Sequence, residues 1–379
     1  MKIVIAIDSF KGSLSSVEAG NAAAEGIKRV LPDPEIIVSP VADGGEGTVD
    51  ALVSGLNGRF RQTIVSDPLG RPITAKYGIL PDNTAVIEMA AASGLTLLKN
   101  EERDPMHTTT FGTGELILDA VKLGCRNFII GIGGSATNDG GTGCLQALGF
   151  GVLDKNGKQV VSGAAGLSHI SKITASNISE LKECTFNIAC DVNNPLCGEN
   201  GCSSVFARQK GADDKMIAEM ERALKKYAEI AAQFVPSASP DTKGAGAAGG
   251  LGFALMFFLG AKLLPGIELV IRETKLENAI IDADIVVTGE GCLDRQTAMG
   301  KAPVGIAEIA KKYNKPVIAF SGAVGNGAEL CIPKGIDAFF PVIRKASSLE
   351  EAMDRNNARN NLADTAEQVF RLIDMILRK

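Results

Sequence analysis

Ile3-Val4-Ile5-Ala6-Ile7-Asp8-Ser9-Phe10-Lys11-Gly12-Ser13 begins with five apolar residues and stops at an acid, a hydroxyl, a cation and a glycine. A short, continuously apolar run rich in β-branched residues reads as a strand covered on both faces, as in parallel sheets. Residues 15–31 then carry Val17, Ala24, Ile27 and Leu31 at helical spacing. A second strand over 35–39 delivers Asp43-Gly44-Gly45-Glu46-Gly47-Thr48 to a helix that starts at 49. Strand, loop and helix repeated in that order predict a parallel α/β sheet.

Further along, the pattern changes and then returns. Residues 59–65, 73–80 and 85–90 read as strands separated by Asp67-Pro68-Leu69-Gly70 and Pro81-Asp82-Asn83, turns that suit antiparallel neighbours. A long amphipathic helix over 213–235 carries Met216, Met220, Leu224, Tyr227, Ile230 and Phe234. From 284 the parallel pattern resumes, with a strand at 285–287, a loop at 288–291, a helix bearing Val304, Ile306, Ile309 and Ala310, and strands at 317–320 and 337–343. A closing helix shows Leu362, Ala366, Val369, Ile373 and Ile376 on one stripe. The expectation is a Rossmann-like doubly wound parallel sheet domain, 1–66 plus 283–379, interrupted by an inserted second α/β domain, 67–282. The active site is expected in the cleft between them, because open parallel sheets bind ligands at the carboxyl ends of their strands.

Composition excludes several function classes. The 379 residues carry a formal charge of −5, no Trp and only 3 Tyr, which disfavours nucleic-acid binding by a basic face or by base stacking. The uncharged stretch 244–261 has a dense apolar part only over 251–259, far short of the ~20 residues that span a bilayer. Eight cysteines without a Cys-x-x-Cys pair and two histidines, His107 and His169, offer no zinc pattern and disfavour Ser-His or Cys-His catalysis. No secretion signal is evident, so reduced thiols in the cytoplasm are expected, in a monomer or small homo-oligomer. Carboxylates and lysines are left to carry any chemistry.

Glycine is in excess, 43 of 379 residues, about 11% against a usual ~7%. Much of it sits in loops with acids, hydroxyls and cations. The densest is Gly131-Ile132-Gly133-Gly134-Ser135-Ala136-Thr137-Asn138-Asp139-Gly140-Gly141-Thr142-Gly143, after a strand at 128–130. Successive backbone N–H groups there would cradle an anion, and Asn138 and Asp139 offer the oxygen ligands that Mg²⁺ prefers. A dinucleotide reading competes, since Gly131-x-Gly133-x-x-Ala136 fits the Gly-x-Gly-x-x-Gly/Ala fingerprint and Asp154 trails it by roughly the ~20 residues of a ribose acid. That alternative implies an NAD-linked oxidoreductase of a small hydroxy acid. Asp191, ending a strand at 186–189 and followed by Asn193-Asn194-Pro195, is placed to act on a ligand. The glycines of 244–252 read better as tight helix packing.

Taken together, Asp8-Ser9-Phe10-Lys11-Gly12, Asp43 to Thr48 and the Gly131 to Gly141 loop resemble the type 1 glycerate kinase family. So do Asp191-Val192-x-Asn194-Pro195-Leu196, Gly246 to Gly252, and Thr288-Gly289-Glu290-Gly291-x-x-Asp294-x-Gln296-Thr297-x-x-Gly300-Lys301. Six motifs in order span nearly the whole chain. Three positions depart from the family's usual pattern, with Cys292 where Arg is frequent, Arg295 where a small residue is common and Cys202 where Ala usually follows Gly201. The resemblance implies an enzyme, a phosphotransferase that uses ATP and Mg²⁺ to phosphorylate D-glycerate, most often at the 2-hydroxyl, with 3-phosphorylation by the same site as the other outcome.

On that reading Asp191, Lys11 and Asp294 are the catalytic candidates, Asp191 as general base. Ser9, Lys11, Asp43, Gly44, Gly45, Arg71 and Arg295 are expected to bind glycerate. Gly133, Gly134, Ser135, Thr137, Asn138 and Lys301 are expected to hold the ATP phosphates, and Asp139 the metal.

Overall fold

The computed structural model describes residues 1–175 and 179–378. Among them the strands in chain order are β1 (Lys2–Ile7), β2 (Glu35–Val38), β3 (Arg59–Ser66), β4 (Pro72–Ile79), β5 (Thr84–Glu88), β6 (Asn127–Gly131), β7 (Phe150–Leu153), β8 (Lys172–Ala175), β9 (Thr185–Ala189), β10 (Lys262–Leu264), β11 (Ile285–Leu293), β12 (Val317–Val324) and β13 (Ala338–Pro341). They fall into two units, one made of 1–43, 50–56 and 267–379, the other of 44–49 and 57–266.

The first unit holds a five-stranded sheet in the order β13-β12-β11-β1-β2, parallel throughout. The apolar run that opens the chain is its penultimate strand, and Val4, Ile5 and Ala6 have no exposed surface. Ile3, Ile5 and Ile7 share one core with Ala19, Ala23 and Ile27 of the helix Ser16–Lys28 and Leu362, Ala366 and Phe370 of the helix Arg355–Leu377. Helix Ser16–Lys28 starts at a capping box, the Ser15 hydroxyl accepting from the Glu18 N–H and a Glu18 carboxylate oxygen accepting from the Ser15 N–H. A Cβ at Gly26 would lie 1.9 Å from the Ala363 carbonyl oxygen, so only glycine lets the two helices touch there.

β11 is longer than its apolar run predicts. It continues through Thr288-Gly289-Glu290-Gly291 to Leu293, with Glu290 opposite Ser321 and Leu293 opposite Val324. Gly289, read as part of a loop signal, is instead required by crowding against the neighbouring strand. A Cβ at Gly289 would meet the Phe320 carbonyl oxygen at 2.0 Å.

The second unit holds a six-stranded sheet in the order β10-β9-β6-β5-β4-β3 and a two-stranded antiparallel pair, β7 and β8. β3, β4 and β5 are antiparallel neighbours; β5, β6, β9 and β10 are parallel. The turn between β3 and β4 is built as its residues imply, the Asp67 carboxylate accepting from the Leu69 and Arg71 N–H groups and Gly70 taking φ +79°. β3 pairs along its whole length with β4, which carries residues 59–66 into this unit rather than the first. Helices Gly266–Thr274 and Leu276–Ile281 fall almost wholly in the first unit, where Ile267 packs on Gly305. The chain therefore crosses between the units after 43, 49, 56 and 266, where the sequence reading placed the boundaries at 66 and 282.

No helix among the described residues is long and apolar enough to cross a membrane. The eight cysteines are free thiols.

Candidate active site

A cavity of about 380 Å³ opens in the first unit where β1, β11, β12 and β13 end. Part of its lining is ionic: Asp8, Lys11, Asp43, Glu290, Asp294 and Lys301. Another part is apolar, with Val342 and Ile343 just beyond β13 and Leu349, Ala352 and Met353 of the helix Leu349–Met353. β13 lies three strands from β1, about 14 Å at the usual strand spacing of about 4.8 Å, so the two chemistries occupy different ends.

Asp8 directly follows β1. Its backbone N–H donates to the Gly289 carbonyl at 2.9 Å, which extends the strand pairing by one residue, and its carboxylate accepts from the Ser9 N–H at 2.6 Å. Asp43 is brought to it by a buried hydroxyl. The Ser16 Oγ donates to the Ile7 carbonyl and accepts from the Val41 N–H at 2.9 Å, tying the end of β1 to the segment that leads to Asp43. Only 5% of Asp8 is exposed. Burial first, and the neighbouring Asp43 charge second, push its carboxyl up from 3.8 to about 7; Lys11 opposes them and Glu290 adds to them. Lys11 sits on the tight turn that follows, where Gly12 takes φ +76°.

Glu290 projects from the far half of β11, and burial raises its pKa as well. The Thr297 hydroxyl donates to Glu290 Oε1 at 2.5 Å and accepts from the Asp294 N–H at 3.1 Å. Asp294 lines the cavity, yet one of its oxygens is already committed, accepting from the Gln296 and Thr297 N–H groups at 2.7 and 3.2 Å to form the turn that starts Thr297–Met299. It shapes the cavity wall that carries Glu290 and Lys301.

The glycine-rich loop after β6 belongs to the second unit, and most of it is interior. Gly133 and Gly134 are exposed; Ala136 to Gly143 are buried. Asp139 has no exposed surface, and its carboxylate accepts from the N–H groups of Thr110, Gly141 and Gly143 and from the Thr110 hydroxyl at 2.8 to 3.2 Å. An acid so enclosed has its oxygens engaged by the protein's own donors, where a metal ligand was expected; it locks the loop onto the start of the helix Phe111–Lys122. Burial raises its pKa against those hydrogen bonds. Thr137 and Asn138, expected at the ATP phosphates, are also wholly buried, the Asn138 amide donating to the Ser203 hydroxyl at 2.9 Å. Among the described residues no three His, Cys, Asp or Glu side chains converge to hold a metal ion.

What faces outward is Gly133-Gly134, with Ser135 buried directly behind them at 9% exposure. Beneath it lies Lys210, which no sequence pattern marked: its amine donates to the Ser135 hydroxyl at 2.8 Å and to the Thr137 carbonyl at 2.6 Å. Gly44 and Gly45 border the same loop. The Gly44 carbonyl lies 2.4 Å from where a Gly131 Cβ would stand, and the Gly45 Cα 3.4 Å from a Gly133 Cβ. The second glycine stretch serves the first. Ala248, Gly249 and Gly250 take left-handed turns at φ +52°, +66° and +93°, and the Gly249 carbonyl accepts from the Gly140 N–H at 2.9 Å.

Other expected residues are elsewhere. Arg71 donates to Asp67 and to Glu102, both at 2.6 Å, which occupies the guanidinium that was expected to bind substrate. Arg295 is exposed and absent from the cavity lining, in which Cys292 does take part. Asp191 is exposed at the end of β9, one oxygen accepting from the Gly266 N–H at 2.9 Å. The dinucleotide alternative fails on two counts. Its helix begins only at Thr142, and the Asp154 carboxylate is spent on its own turn, accepting from the Asn156 and Lys158 N–H groups.

A family model described as the glycerate kinase family matches residues 3–374. The chain belongs to the glycerate kinase family. It is 49% identical over 354 residues to a protein of Escherichia coli K12 named glycerate 2-kinase, covering 93% of each chain. It is 46% identical over 375 residues to a Haemophilus influenzae protein named glycerate kinase, covering 98% and 99%. A chain from Salmonella typhimurium LT2, whose crystal structure bears the name glycerate kinase 2, superimposes with a TM-score of 0.92 at 45% identity and complete coverage of both. This member of the family is thus an enzyme, a phosphotransferase with an alcohol as acceptor.

Proposed function

We propose that the enzyme transfers the γ-phosphoryl group of ATP to the 2-hydroxyl of D-glycerate, giving 2-phosphoglycerate and ADP. The observation that carries the mechanism is Asp8, a carboxylate poised near neutral pH beside Lys11 at a strand end. Phosphoryl transfer asks mainly for positioning and charge neutralisation, plus a group that takes the proton of the attacking hydroxyl. Asp8 accepts that proton as the glycerate oxygen bonds to phosphorus and the bond from the γ-phosphorus to the ADP oxygen breaks. Its raised pKa is what fits it for this, since a base works best when its pKa matches the working pH. The role expected of Asp191 passes to Asp8.

ATP is assigned to the cavity of the first unit. A space of about 380 Å³ with a largely apolar end exceeds what a three-carbon acid needs. The base lies against Val342, Ile343, Leu349 and Met353, and the phosphates run towards Lys301 and Lys11. Mg²⁺ comes as part of the MgATP substrate, held chiefly by phosphate oxygens, as is usual for this ion. It neutralises phosphate charge there. The free thiols suit a reducing cytoplasm.

Incubation with D-glycerate, ATP and Mg²⁺, followed by phosphorus and proton NMR of the product, tests this. A 2-phospho signal is expected. A 3-phospho signal would overturn the regiochemistry alone, and the absence of ATP-dependent product would overturn the function.

A further inference from the structure

We infer that Lys210 is the positioning residue of the enzyme's glycine-rich loop, holding Gly133-Gly134-Ser135 in the shape that receives an oxyanion of a substrate. The inference rests on the phosphoryl-transfer reading and adds to it a residue outside every motif of the family resemblance. Lys210 lies on the short turn Arg208–Lys210, with 2% of its surface exposed. Its ammonium is answered by a hydroxyl and a carbonyl, Ser135 Oγ and Thr137 O, rather than by a carboxylate. Burying a lysine whose hydrogen bonds all go to neutral groups is costly, and burial lowers its pKa to about 8 against the opposing pull of Cys202 and Asp139.

Its two partners identify its use. Ser135 and Thr137 flank Ala136, and the loop is gripped on its other side by backbone: the Ala136 N–H donates to the Ser93 carbonyl, and the Leu95 N–H to the Gly134 carbonyl, both at 2.9 Å. The Thr108 hydroxyl donates to the Ala136 carbonyl at 2.9 Å. Lys210 thus supplies the remaining grip, from below, on the buried residue that follows the exposed glycines. It also sets the rotamer of Ser135, whose oxygen accepts from the amine and so turns its own proton away from it. At neutral pH the ammonium is mostly charged and adds a positive field under backbone N–H groups. Gly134 takes φ +72° at the exposed tip, which lets the backbone approach a ligand closely. The oxyanion is a carboxylate or a phosphate, which the test separates.

The experiment compares wild type, K210M and K210Q in steady-state kinetics with each substrate varied, alongside isothermal titration calorimetry with D-glycerate and with MgATP. Methionine keeps the stem and removes charge and donor; glutamine keeps a donor. K210M is expected to raise KM for one substrate by about ten- to a hundredfold, since small misplacements of a binding group cost that much. The matching Kd rises too, and K210Q recovers part of the loss. A rise confined to D-glycerate names the carboxylate, and one confined to MgATP names a phosphate. Unchanged KM and Kd for both substrates in folded K210M overturn the inference, as does a fall in kcat alone that tracks the fraction of folded protein. If K210M does not fold, S135A, which removes one partner of the amine, carries the same expectation and the same refutation. Should wild type bind both ligands yet transfer no phosphoryl group, the functional reading falls while the calorimetry still decides on Lys210.

Discussion

Substituting Asp43 by Asn should move the pH at which this enzyme turns on. Asp8 must be ionised to accept a proton, and its carboxyl stands at about 7 instead of 3.8 because it is buried and because Asp43 lies beside it. With one ionisation at 7, the active fraction is about one half at pH 7 and about one tenth at pH 6. kcat/KM should therefore fall roughly fivefold over that interval and about tenfold for each further unit. Asp43→Asn removes the second largest cause of the shift, so the acidic limb moves to lower pH. Titration of ATP itself cannot mimic this, because it is the same for both enzymes. Asp8→Asn should lower kcat by about 10² to 10⁴, the usual worth of a general base, and Asp191→Asn by far less.

The same shift has a cost in stability, and its sign follows from the two pKa values. Below pH 3.8 Asp8 is protonated whether folded or not. As pH rises to 7 the unfolded chain releases the proton and the folded one retains it, so stability falls by up to about 4 kcal/mol at 1.36 kcal/mol per pH unit. Asp8→Asn, which cannot ionise, should melt several degrees above wild type at pH 8 and show no such gain at pH 3.5. An acidic limb that stays put in Asp43→Asn, or an Asp8→Asn enzyme with near-normal turnover, would refute the assignment of the base.

Three further outcomes are expected. Asp139→Ala strands the N–H groups of Thr110, Gly141 and Gly143 in the interior and should destabilise by about 3–5 kcal/mol, while the Mg²⁺ dependence of any residual activity is unchanged; a selective loss of Mg²⁺ response would restore it as a metal ligand. Ala352→Phe, filling the apolar end of the cavity, should raise KM for ATP about tenfold or more with little effect on KM for D-glycerate, and the reverse pattern would place glycerate there. Arg71→Ala should leave KM for D-glycerate within about twofold and change stability to chemical denaturation little, because its exposed guanidinium serves Asp67 and Glu102; a large KM effect would return it to the site.

The architecture was legible where backbone and side chain say the same thing. The apolar run at 3–7 could only be a covered strand, Ser15 and Glu18 announce a helix start, and the Asp67 to Gly70 turn has the residues its geometry demands. Glycine is where reading fails, because it carries one signal for two causes. A backbone that must approach a ligand and a backbone that must approach another backbone both require it. Gly133 and Gly134 are exposed, but Gly140 and Gly141 are buried against the Ala247–Leu259 segment, and Gly289 is spent on the Phe320 carbonyl. The strand-end acids were visible as a set, yet their order was not. What raises Asp8 is burial by elements drawn from both ends of the chain, a property that position in a motif does not encode. Lys210 gave no signal at all, since a lysine in Arg208-Gln209-Lys210-Gly211 looks like any solvated charge until its burial is known.

The contact between Gly249 and the loop at Gly140 also bears on the order in which the protein can be made. A ribosome that has released β6 and the residues up to Gly143 has released every residue of the exposed loop, but not the backbone that the loop rests on. Gly249 follows Gly140 by 109 residues and Lys210 follows Ser135 by 75, so the loop has no floor until the 249–250 turn has emerged. β1 waits longer still, for it pairs with a strand that begins at Ile285. Refolding experiments should accordingly see helix content return well before activity, because both halves of the chemistry hang on pairings that close the longest loops in the chain.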